Sequence, residues 1–166
     1  LLAAGVMTLT IYNVWVASQY GPQGSSETPE VQADNVYLYD EPRAIRDFSL
    51  TDEQGQTVDE SMLRGQWTLA FLGFTNCPDI CPTTMATLSK ANERISERAT
   101  EPQFVMITAD PDRDTPKALS RYVTFFGDDF RGITGDIETL RDLAADLNAT
   151  FNHSTDADGN PVVEHS

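Results

Sequence analysis

Thr68-Leu69-Ala70-Phe71-Leu72-Gly73-Phe74 runs straight into Thr75-Asn76-Cys77-Pro78-Asp79-Ile80-Cys81-Pro82, and then into a segment opening Thr83-Thr84-Met85-Ala86-Thr87-Leu88. The first stretch is an apolar run of strand length and predicts a buried central strand. The last predicts a helix from near Thr83 to Arg98, with Met85, Leu88, Asn92 and Ile95 at 3/4 spacing. Between them lie the only two cysteines of the chain, each followed by proline. A cysteine pair where a buried strand meets its helix points to a thioredoxin-like α/β fold, with a central mixed sheet flanked by helices.

The surrounding pattern agrees. Asp47–Thr51 reads as a short strand, turned at Glu53–Gln56 so that Thr57-Val58 pairs back. Gln103–Ala109 is a second apolar strand. Asp114 or Thr115 caps a helix with Pro116 in its first turn, where proline is pre-organised. Leu119, Tyr122, Val123 and Phe126 form its apolar face. Arg131–Thr134 is a short strand, and Asp136 opens a helix through Leu147. Ala149–Phe151 and Val162–Glu164 read as strands around the turn Asp156-Ala157-Asp158-Gly159-Asn160. That turn lacks the glycine and glutamate positions of a calcium loop. Met62, Met85 and Met106 fall at core positions. Strands alternating with helices imply parallel pairs joined by crossovers.

The ends of the chain differ in kind. Leu1–Ser26 carries no charged side chain, and Leu1–Ala17 is mostly apolar. A membrane span needs about 20 such residues, so residues 1–20 are expected to form a membrane-anchor helix lengthened by upstream sequence, with a cleaved signal peptide as the alternative. Trp15 and Tyr20 suit a membrane interface. Residues 21–42, rich in Gly, Pro, Ser and Glu, read as a linker, and residues 43–166 as the folded domain. The whole net charge of −15 therefore sits on the linker and domain. Such a surface repels phosphate backbones, which excludes nucleic acid as a partner. An anchored domain with a cysteine pair suits an oxidising compartment.

Two cysteines at i and i+4 on a first helical turn share one face and lie within disulfide range. The helix N-terminus favours thiolate, while Asp79 between them opposes it. Thioredoxin-type oxidoreductases place two residues between the cysteines, and here there are three. The wider loop leaves room for an ion, and two thiolates select a soft one, Cu(I) or less selectively Zn(II). A redox-active disulfide, a thiolate pair and a metal site all remain open on these residues alone. Only His153 and His165 are available as imidazole donors.

Four motifs in order resemble the SCO/SenC copper-binding proteins. Phe74–Pro82 is similar to that family's F-T-x-C-P-D-V/I-C-P, and Ile107–Thr115 resembles its S-x-D-P-x-R-D-T. Gly132-Ile133-Thr134-Gly135 is similar to its G-L-T-G, and Val163-Glu164-His165-Ser166 to its V-D-H-S/T. The likeness runs from about Arg43 to Ser166. It implies copper, as Cu(I), Cu(II) or both, held by Cys77, Cys81 and His165. It implies a role in cytochrome c oxidase assembly: a metallochaperone delivering copper to, or preparing, the CuA site of subunit II. The alternative is a membrane-tethered thiol–disulfide oxidoreductase that uses Cys77 and Cys81 to reduce partner cysteines. The expected location is the inner membrane, single-pass, with the domain facing the periplasm, or in mitochondria the intermembrane space. Asp110 is expected either to support the copper site or to serve its turn, and Asp112 and Asp114 to serve turn and cap. His153, without a counterpart in the family pattern, is expected in an exposed loop. Glu164 replaces the family's aspartate. The family continues past the histidine with a strand and a closing helix, which this sequence is expected to lack.

Overall fold

The computed structural model of the chain describes residues 36, 38–96, 102–157 and 161–165, apart from the side chains of Ser96, Pro161 and His165. The chain divides into two compact units, Leu1–Pro42 and Arg43–Ser166. The expected anchor and nearly all of the linker lie outside the described residues. Among those described, no helix is long and apolar enough to cross a membrane.

The second unit runs β1 (Leu50–Asp52), β2 (Thr57–Val58), a 3-10 turn (Glu60–Leu63), β3 (Thr68–Gly73), α1 (Ile80–Ser96), β4 (Gln103–Thr108), α2 (Pro116–Val123), β5 (Phe130–Thr134), α3 (Ile137–Asp146), β6 (Phe151–Thr155) and β7 (Pro161–His165). Five strands form a mixed sheet in the order β2-β1-β5-β4-β3. The pairs β3–β4 and β4–β5 are parallel, while β1 is antiparallel to both β2 and β5. The strands β6 and β7 form a separate antiparallel ladder, with Phe151 opposite His165 and His153 opposite Val163.

β4 shows why the sheet is two-sided. All six of its residues are buried, and side chains alternate between faces along a strand. Phe104 and Met106 join Met85 of α1, Leu119 and Val123 of α2, and Phe130 in one cluster. Val105 and Ile107 join Leu50, Ile133, Leu140 and Leu143 of α3, and Phe151 in the other. The rings of Phe104 and Phe130 stack at 4.6 Å. Gly132 lets α2 approach β5 closely: a Cβ there would lie 3.2 Å from the Leu119 Cβ. Gly135 turns the chain at a φ of 155°, where a Cβ would meet Leu50 Cδ2 at 2.8 Å. The glycines of the Gly132–Gly135 motif are thus packing and turn positions.

Three expectations change. Thr68–Gly73 is an edge strand of the five-stranded sheet, not a central one. Most of its residues are half-buried and Ala70 is exposed; β5 is the middle strand, and β4 lies between it and β3. An apolar run reports contact with the layers above and below, whereas position in a sheet is set by long-range pairing. The strand expected at Ala149–Phe151 starts only at Phe151. Asn148, at a φ of 59°, ends α3 in the left-handed conformation, and Ala149 N–H reaches back to Ala144 O at 2.8 Å. Ala149 and Thr150 are therefore the exit from the helix. Finally, α1 begins at Ile80 rather than near Thr83; its far end at Arg98 and the tip Asp158–Asn160 lie outside the described residues.

Candidate metal centre

The site grows from the turn that leaves β3. Cys77 N–H donates to Phe74 O at 3.2 Å, and Thr83 N–H closes the first helical turn onto Asp79 O at 3.2 Å. Cys81 is therefore in the first turn of α1, and Cys77 lies just before the helix. Pro82 falls inside that first turn, where an N–H would have no helical partner, so it does not break the helix. The Cys77 sulfur serves as the capping acceptor: Cys81 N–H donates to it at 3.3 Å. The amides of Asp79 and Ile80 also hydrogen-bond it.

Both thiols are buried, Cys77 at 8% exposure and Cys81 at 2%, and neither is in a disulfide. Their environments split them. Burial works against the Cys77 thiolate, but the Cys81 thiol and the three backbone amides at the helix start donate to it, and together they hold Cys77 below the ordinary thiol range. Cys81 is pushed up to about 12, first by burial, then by its hydrogen bond to Cys77 and by the charges of Cys77 and Asp114. Of the two thiols Cys77 ionises first, and Cys81 holds its proton longer. Two adjacent sulfurs, one of them easily ionised, can attack a disulfide or bind a soft cation with release of their protons.

Asp114 was expected to serve the turn and cap of α2, and the structure corrects this. Thr115 is the cap, accepting from Ala118 N–H at 3.3 Å. The Asp114 carboxylate is fully buried. It accepts from Thr75 N–H at 3.2 and 3.1 Å, from the Thr75 hydroxyl at 2.6 Å and from the Thr108 hydroxyl at 2.6 Å. It thereby ties the loop before Cys77 to the end of β4. One signal in the sequence pointed this way: Asp114 and Thr115 are both capping residues, and a helix start uses one. The donor Thr75 lies 39 residues earlier, beyond any local pattern.

Tyr122 lies on the apolar face of α2 that the spacing predicts. Its ring packs on the cluster around Met85, one turn beyond Cys81 in α1. Its hydroxyl is buried with no hydrogen-bond partner among the described residues. Burial, followed by the charges of Cys81, Cys77 and Asp114, pushes the phenol up to about 12.

Asp110 is buried, and its carboxylate pairs with Arg113. Its carbonyl accepts from the amides of Arg113 and Asp114 at 3.2 and 2.9 Å, which is turn chemistry. Asp112 is exposed. His153 is exposed, as expected, but on β6 rather than in a loop. Its Nε2–H donates to Ala109 O at 2.6 Å, joining the β6–β7 ladder to the end of β4. His165 sits on β7, with its backbone opposite Phe151; its side chain is outside the described set, so the structure brings together Cys77 and Cys81 and leaves the third expected donor undescribed. Among the described residues no group of three or more His, Cys, Asp and Glu gathers closely enough to hold a metal ion.

Comparison with known proteins places the chain among relatives. The family described as SCO1/SenC matches residues 38–166. A SCO2-like protein of Rickettsia conorii is 35% identical over 146 residues, 86% of this chain and 71% of its own length. Arabidopsis thaliana ScoI, solved with copper bound, is 35% identical with a TM-score of 0.68, covering 74% of this chain and 78% of that one. BsSco, described as a member of the Sco family of cytochrome c oxidase assembly proteins, shares the fold at 21% identity and a TM-score of 0.57, covering 74% of this chain and 82% of its own. The curated relatives extend further than this sequence, which spans between 44% and 71% of their length.

Proposed function

The chain belongs to the SCO1/SenC family, and from that premise we propose that it is a copper metallochaperone. Cys77 and Cys81 hold the ion through sulfur, His165 adds the imidazole, and the cargo is delivered to the CuA site of cytochrome c oxidase subunit II or a similar copper-site protein. The observation that carries this reading is the dithiol itself. Two buried sulfurs sit at the start of a helix, one favoured as thiolate by backbone amides. Two sulfur donors are soft, which suits Cu(I). Because Cys77 ionises more readily than an ordinary thiol, its proton is more easily released when the ion binds through both sulfurs.

Anchoring by residues 1–20 in the inner membrane, with the domain toward the periplasm or intermembrane space, keeps the site next to a membrane-bound acceptor. The charge of −15 argues against nucleic acid and suits encounter with a basic surface.

The asymmetry of the two thiols favours a second reading, a tethered thiol–disulfide oxidoreductase. Cys77 would attack a partner disulfide as thiolate, breaking the S–S bond, and Cys81 would resolve the mixed disulfide. That leaves Cys77–Cys81 oxidised and the partner dithiol reduced. A transfer experiment separates the readings: copper-loaded full chain is mixed with reduced, copper-free CuA protein and the CuA absorption is followed. Appearance of CuA with reduced partner thiols supports delivery. No copper transfer, together with reduction of the oxidised partner by the copper-free chain, supports the oxidoreductase.

A further inference from the structure

We infer that Asp114 is a positioning residue of the dithiol site, and that its buried carboxylate biases the site toward Cu(II) over Cu(I). The inference rests on the copper reading above and concerns which oxidation state the cargo prefers.

The carboxylate is fully buried. Its partners are the Thr75 amide, the Thr75 hydroxyl at 2.6 Å and the Thr108 hydroxyl at 2.6 Å. All are neutral donors, so the negative charge is held in place without being cancelled by an ion pair. This differs from the other buried acids. Asp52 and Glu53 face Arg131 at 2.9 and 2.6 Å, and Asp110 pairs with Arg113. Burying an unpaired carboxylate is costly unless its hydrogen bonds are complete. Here the Thr75 amide and hydroxyl belong to the turn that carries the sulfurs, and the Thr108 hydroxyl to the end of β4.

Thr75 lies two residues before Cys77 in the turn closed by Cys77 N–H onto Phe74 O. Thr108 ends β4, and its hydroxyl also accepts from Asp110 N–H at 2.9 Å. Asp114 therefore clamps the cysteine turn to the end of β4. Capping of α2 does not need it, because Thr115 is the cap. Its charge reaches the site as well: Cys81 and the Tyr122 phenol both feel it. A fixed negative charge in a low-dielectric surrounding stabilises a doubly charged ion more than a singly charged one. Groups just behind the ligands of a metal tune it in this way.

The test uses the full chain, with copper affinities measured for both oxidation states by competition with chelators. Asp114→Asn keeps the shape and an acceptor for Thr75 but removes the charge. Its ratio of Cu(II) to Cu(I) affinity should fall at least tenfold, an upward shift of about 59 mV in the one-electron potential of the bound copper. Thr75→Val removes a tether but leaves the charge, so both affinities should fall together and the ratio should stay within about twofold. An Asp114→Asn ratio within twofold of the parent would overturn the inference. So would loss of the native circular dichroism of copper-free Asp114→Asn, since Asp114 would then hold the fold rather than the site. If the parent chain binds no copper, the copper reading falls and this inference with it; normal binding with an unshifted ratio sinks the inference alone.

Discussion

Iodoacetamide at about pH 8 should modify Cys77 of the reduced chain and leave Cys81 almost untouched. Alkylation proceeds through thiolate, so its rate follows the ionised fraction and access. With Cys81 pushed up to about 12, roughly one molecule in 10,000 carries its thiolate at that pH. An ordinary thiol near 9.0 would be ionised in roughly one of ten. The environment thus lowers the Cys81 thiolate population by roughly a thousandfold, before its 2% exposure slows access further. Cys77 lies below the ordinary value, so its advantage is larger still. Both cysteines fall in the tryptic peptide Gly65–Lys90, and fragment-ion mass spectrometry of time-quenched samples assigns the label. A Cys77→Ser variant sharpens the test. It removes the sulfur that hydrogen-bonds Cys81, but burial is the larger cause and remains. Labelling of Cys81 should therefore stay well below that of an unfolded control. Labelling of Cys81 at a rate comparable to Cys77 in the native, reduced chain would refute the assignment of the proton.

Other outcomes follow from the same contacts. Asp114→Ala leaves the half-buried Thr75 amide without its acceptor, and the two threonine hydroxyls must find others; urea unfolding of the copper-free chain should show a loss of about 1–3 kcal/mol. Gly132→Ala puts a methyl 3.2 Å from Leu119 Cβ and 3.3 Å from Val123 Cγ1; α2 must shift, at about 1–3 kcal/mol, read as a lower melting temperature. Alkaline stability should fall as well. Cys81 keeps its proton in the folded chain up to about 12 but loses it near 9.0 when unfolded. Its contribution is therefore complete below about 9 and is lost as pH rises toward about 12, worth about 2 kcal/mol after allowance for nearby solvent. Cys77 acts in the opposite sense: its depressed value adds stability above its unfolded value, lost as pH falls through the folded one. Denaturant midpoints across pH 8–12 should decline for the parent and decline less for Cys81→Ser.

Much of this was legible because it is local. The apolar run within Gln103–Thr108, the start of α2 at Pro116 and the opening of α3 at Asp136 each depend on neighbours in sequence. Asp136 accepts from Thr139 N–H at 2.9 Å, as its position before an apolar 3/4 pattern implied. The cysteine turn was legible because both sulfurs lie on one short segment. What was hidden depends on partners far along the chain. The edge position of Thr68–Gly73 follows from which strands pair with β4. The role of Asp114 follows from Thr75. Glu53 looked like part of a surface turn, yet it is buried and accepts from Arg131 at 2.6 Å and from Gly132 N–H at 3.0 Å, nearly 80 residues away. His153 owes its place to the Ala109 carbonyl, a contact no spacing rule anticipates.

Copper titration of the full, reduced chain, alongside Cys77→Ser, Cys81→Ser and His165→Ala, tests the central claim most directly. The account predicts one equivalent of copper for the parent, loss with either cysteine replaced, and weakened binding with His165 replaced. Retention of the full equivalent by both cysteine variants, or no binding by the reduced parent chain, would contradict it.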